Sequence, residues 1–125
     1  MSVPVDQKFK ALIEWLMADA ATLESNRLFR ELWAIAIHDR FLARAVDDFY
    51  DEAIERIAQM LCHADPAISR DSAVVIAHLV AVVSEGTGVI YGTRLKRSAS
   101  HEDVQALAVQ VLTGAARDAG SGSNK

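Results

Sequence analysis

Cysteine is nearly missing from this sequence. Cys62 stands alone among 125 residues, so an intrachain disulfide is excluded and a reducing cytosol is the expected setting. Proline is almost as scarce, with two residues, and the first of only six glycines is Gly86. A chain so poor in turn-formers and rich in alanine, leucine and arginine is expected to be all-helical. Positive charge is also short: the net charge is −4 and the pI near 5.5, which gives no bulk attraction to nucleic acid or to an anionic membrane. The start, MSVPVDQKFK, lacks the apolar segment of a secretory signal.

Catalytic signatures are missing too. There is no His-Glu-x-x-His, no Glu-x-x-His pair of the di-iron kind, no phosphate-cradling glycine loop and no Cys/His set at zinc spacing. Cys62 and His63 are neighbours in sequence, but on a helix adjacent side chains point about 100 degrees apart. No catalytic residue, metal ligand or cofactor is therefore assigned. A basic cluster, Arg94, Lys96 and Arg97, has no interleaved aromatics and reads as a solvated loop.

What is present is one long apolar run. Ala73 to Val83 reads AVVIAHLVAVV, interrupted only by His78. Its β-branched content would suit a strand, but from Arg70 to Tyr91 there is no proline and glycine enters only at Gly86, so a helix is expected, loosening near Gly86 and Gly88. The run itself is shorter than the roughly 20 apolar residues that span a bilayer. A helix apolar on all sides must be covered on all sides. The expectation is burial by its own chain on one face and by a second copy on the other.

The flanking segments supply the covers. A first helix, Val5 to Leu23, carries the stripe Phe9, Leu12, Ile13, Leu16, Met17 and Ala20, with Trp15 beside it. A second, capped by Ser25 or Asn26 and running to His38, has two apolar faces: Phe29, Trp33, Ala36 and Ile37 on one, Leu28, Leu32 and Ile35 on the other. Two faces imply burial between layers. Asp39 is the expected cap of a third helix, Arg40 to His63, whose outer side bears Asp47, Asp48, Asp51, Glu52 and Glu55 with possible pairs Arg44–Asp48 and Glu52–Arg56. That acidic face reads as solvated surface. After the Asp65-Pro66 turn, Ser69 caps the central helix. Ser100 opens the last one, with stripe Val104, Leu107, Ala108, Val111, Leu112 and Ala115 to about Asp118. Residues 1–119 are expected to form one domain, and 120–125 a flexible tail. Pairing the last two helices across two protomers would make an intermolecular four-helix bundle.

The ordered set Arg-Leu-Phe-Arg-Glu-Leu-Trp-Ala-Ile-Ala-Ile-His-Asp (27–39), Asp48-Phe-Tyr50 and Val74-Val-Ile-Ala-His-Leu-Val-Ala-Val-Val-Ser-Glu-Gly86 resembles the C-terminal regulatory domain of TetR-family transcriptional regulators. The resemblance covers essentially the whole chain, but the family's N-terminal helix-turn-helix is missing before Val3. Ile76-Ala77 followed by Val83-Ser-Glu-Gly-Thr is loosely similar to that DNA-reading segment. Val80-Ala-Val-Val stands where its turn glycine would be, so no hidden DNA-reading unit is assigned.

The resemblance implies a homodimer built on the last two helices, here through Val75, Leu79, Val82, Val104, Leu107, Ala108, Val111 and Leu112. It also implies a pocket for a small, mostly apolar effector in the first four helices. Trp33, Ile37, Phe41, Phe49 and His78 are the pocket candidates, with Trp15, Phe29, Tyr50 and Met17 behind them. His78 has three readings: a satisfied core or interface histidine, an effector contact or a metal ligand. The function so implied is a cytoplasmic regulator, a repressor by default, reaching DNA only through a head outside this sequence and making no membrane contact. A stand-alone partner that heterodimerises with a full-length regulator is the alternative, and a small helical enzyme is a third.

Overall fold

The computed structural model describes residues 5–92 and 96–122. They form five helices: α1 (Val5–Ala20), α2 (Leu23–Ala36), α3 (Arg40–Ala64), α4 (Arg70–Tyr91) and α5 (His101–Gly122), with no strand among the described residues. The protein is all-α, as its composition requires. Arg94 of the basic cluster and the last three residues of the expected tail lie outside the described residues.

The centre is α4, which packs against α3, α1 and α5. Its inner face, Ala73, Ile76, Ala77 and Val80, is buried against Phe9, Ile13 and Met17 of α1, Ala58 and Leu61 of α3, and Leu112 and Ala116 of α5. Alanine at positions 73 and 77 lets neighbouring helices approach closely, and the spacing 73, 76, 77, 80 is one helical face. The apolar stripe of α1 falls where its period places it.

Helix boundaries follow the caps. Asp39 accepts from the amides of Phe41 and Leu42 at 2.9 and 3.1 Å, and Ser69 from Ser72 at 3.1 Å. Ser100 accepts from Asp103 at 3.1 Å. All three satisfy first-turn amides that would otherwise lack partners. The break between α1 and α2 comes earlier than the sequence suggests. Thr22, rather than Ser25 or Asn26, is the cap: its Oγ1 donates to the Asp19 carbonyl at 2.8 Å and accepts from the Ser25 amide at 3.3 Å.

Four further expectations are revised. α2 does not lie between layers; it packs mainly on α3, and Leu28 and Ile35 on its other side are exposed because nothing among the described residues covers them. Of the two pairs expected on α3, Glu52–Arg56 forms at 2.7 Å, while Arg44 and Asp48 are not paired. α4 stays helical through Gly86 and Gly88, and at 22 residues it is, by length and composition, able to cross a membrane. The run Ala73–Val83 is short, but the helix that contains it is not. Finally, α5 continues past Asp118 to Gly122. Gly120 is buried there against the α3–α4 turn, where a Cβ would run into the Asp65 carboxylate.

Candidate ligand cavity and outer apolar face

α4 has two jobs beyond its core face. On one side it walls a cavity of about 250 Å³ that α1, α2 and α3 complete. Ala81, Ser84, Glu85, Gly88 and Val89 come from α4, and Tyr50, Ile54 and Ile57 from α3. α2 contributes Phe29 and Trp33, and α1 contributes Trp15, Leu16 and Asp19. The i, i+3, i+4 spacing explains the selection: positions 81, 84, 85 and 88 share one face of α4, and 50, 54 and 57 one face of α3.

Four rings form a connected set. Phe29 and Phe49 lie 6.1 Å apart between centroids, Phe49 and Tyr50 5.5 Å edge to face, and Trp33 and Tyr50 6.0 Å. Aromatic pairs at these distances are attractive through their quadrupoles as well as by burial. The rings are not packed as a core is, since Trp15, Trp33 and Phe49 all reach solvent.

Polar groups are few. The Tyr50 hydroxyl is buried and makes no well-formed hydrogen bond within the protein. Burial first, and then the nearby Glu85 carboxylate, push its pKa up to about 12, with the Trp33 indole opposing them. Among the described residues no cation forms a salt bridge with Glu85. Asp19 accepts from the Ser25 hydroxyl at 3.3 Å, and the Arg30 guanidinium lies 3.5 Å from the Val89 carbonyl.

Of the five principal pocket candidates, Trp33 and Phe49 line this cavity, and so do the secondary candidates Trp15, Phe29 and Tyr50. Ile37 and Phe41 do not. They flank the α2–α3 turn beyond the reach of α1 and α4, and are 75% and 84% exposed. His78 is also elsewhere: it is exposed on α4 two turns before Glu85, outside the cavity lining, with Nδ1 2.7 Å from the Val74 carbonyl. A carbonyl only accepts, so Nδ1 carries the hydrogen. Met17 is fully buried in the core. Glu85, Ser84 and Ile54 were not foreseen as site residues. The signal for Glu85 is in the sequence: after Asp71 it is the only charged residue of α4.

The other side of α4 is an open apolar face. Val75, Leu79, Val82 and Ile90 are exposed, and Leu107 and Val111 of α5 continue the stripe. Val104 and Ala108 are half-buried against the core. Leu112 does not belong to this face: at 1% exposure it is a core residue, because it turns toward α4 and α1 while Val111 turns away. Among the described residues no three His, Cys, Asp or Glu side chains converge as a metal site would need. Comparison with protein-family models, with curated proteins and with solved structures finds no match to this chain.

Proposed function

We propose that this chain is the effector-binding and dimerisation domain of a TetR-like transcriptional regulator, a cytoplasmic repressor whose DNA-binding head lies outside these 125 residues. The observation that supports the reading is the position of α4. It is the wall of an aromatic cavity on one side and the carrier of an uncovered apolar stripe on the other.

The partner proposed for the stripe is a second copy. Each chain carries a net charge of −4, so two copies pair with least local repulsion through a face without formal charge. The outer face of α4 is such a face, since its only mid-helix charge, Glu85, lines the cavity instead. A ligand that favours one position of α4 over another then biases the dimer and whatever the dimer carries, which is a coupling free energy between two sites.

Native mass spectrometry of the purified chain tests this directly. The expected spectrum is a dimer, with added mass when a small organic molecule co-purifies. A clean monomer at micromolar concentration would remove the physical basis of the reading. A bare dimer that ignores every apolar probe but exchanges subunits with a full-length regulator would favour the second reading, a heterodimerising protein, which the same outer face would serve.

A further inference from the structure

The cavity is hydrophobic in most of its surface but not neutral in charge. Glu85 and Asp19 place two carboxylates on its lining against one guanidinium, Arg30, which rests near a backbone carbonyl rather than on either acid. Around them stand the rings of Phe29, Trp33, Phe49 and Tyr50, whose faces carry negative potential.

Three ligand classes can be weighed against this lining. An anion would meet two like charges. A neutral hydrocarbon would fill the apolar volume but strip water from the Glu85 carboxylate without replacing it, which is costly. A cation gains from both the rings and the carboxylate, and the low local dielectric strengthens each term.

We propose that the cavity selects organic cations: an ammonium-type group held between the aromatic rings and Glu85, with its apolar part against Leu16, Ile54 and Ile57. The Tyr50 hydroxyl, buried beside Glu85 and Trp33, borders the same charged group. At about 250 Å³ the space exceeds that of an engineered cavity of about 150 Å³ that takes benzene, so a substituted phenyl cation fits. This assignment rests on the effector-cavity reading above.

Phenyltrimethylammonium and tert-butylbenzene test it, because they share shape and size and differ by one positive charge. Both are titrated into the full chain, with Trp fluorescence and calorimetry as readouts. The expected result is about tenfold tighter binding of the cation, with the ratio falling toward one in Glu85→Gln. The wild-type comparison alone is decisive and needs no variant. Equal affinity for the two probes overturns the cation assignment while leaving an effector cavity in place, and a cation preference that survives Glu85→Gln overturns the part given to Glu85 in it. A chain that binds neither probe overturns the cavity reading and the cation assignment together.

Discussion

Phe9 and Phe49 are the same side chain in two regions of one small protein, and they are 1% and 55% exposed. Phe9 sits where α1, α3, α4 and α5 converge, surrounded by aliphatic side chains that fill the space around it. Phe49 sits in a chain of rings bordering a cavity of about 250 Å³. The first environment is what closely packed interiors look like; the second leaves aromatic surface uncovered, a cost to stability without a return from the fold itself. Aromatic residues that the fold does not need for its core are the best local pointer to where a ligand belongs.

Truncation separates the two regions most sharply. Phe9→Ala is expected to cost about 3–5 kcal/mol, the range for a buried ring whose neighbours cannot collapse into the gap, and chemical denaturation will read it. Phe49→Ala is expected to cost about 1 kcal/mol or less but to weaken binding of the aromatic cation probe. If the two variants lose similar stability, the rings are a second core and the cavity is not a site.

A second contrast lies one residue apart. Val111 is 53% exposed and Leu112 1%. Leu112→Glu puts a charge into the core, and the protein should fail to fold. Val111→Glu should keep its helical circular dichroism and instead weaken self-association by roughly two orders of magnitude, since an interface would have to bury the carboxylate. Sedimentation equilibrium measures the second effect. A Val111→Glu dimer as tight as the wild type would show that the outer stripe is not where copies meet.

These pairs also show what periodicity reveals and what it hides. The stripe on α1 and the caps at Asp39, Ser69 and Ser100 follow from local rules, because the residues that decide them are within a few positions of each other. The apolar arc on α5 was legible, but which edge turns inward was not; Leu112 and Val111 differ only in how α5 is rotated against α4 and α1. Ile37, the cap residue after α2, and Phe41, in the first turn of α3, border the α2–α3 turn and are exposed outside the cavity, and where a helix ends relative to a cavity has no signature in a pattern of 3.6. Glu85 could have been read as a candidate from its isolation in α4, and His78 drew notice instead for the same reason.

Smaller effects come from the glycines. Gly86 faces open space in the single chain, whereas a Cβ at Gly120 would strike Asp65. Gly86→Ala should therefore raise stability by about 0.5–1 kcal/mol through helix propensity, and Gly120→Ala should lose that gain or reverse it. Thermal denaturation distinguishes the two. A loss of stability in Gly86→Ala that deepens with protein concentration would show that residue 86, on the same face as Val82 and Ile90, is closely packed in the dimer contact.

The finest test concerns the cavity's own polar pair. Tyr50 in the folded protein titrates at about 12 rather than near 10 because burial and then the Glu85 carboxylate disfavour its ionised form. The unfolded chain therefore releases this proton first as pH rises. Between about pH 10 and 12 the folded state holds more protons than the unfolded, so stability is fully present below pH 10 and declines through this window. Tyr50→Phe should lose that component of the decline, and Glu85→Gln should reduce it by taking away the second cause while leaving burial in place. Tyrosinate absorbance followed against pH reports the same shift without denaturant. If Glu85→Gln leaves the Tyr50 titration where it was, burial alone sets it, and the carboxylate is too far from the hydroxyl for the two to share one bound group.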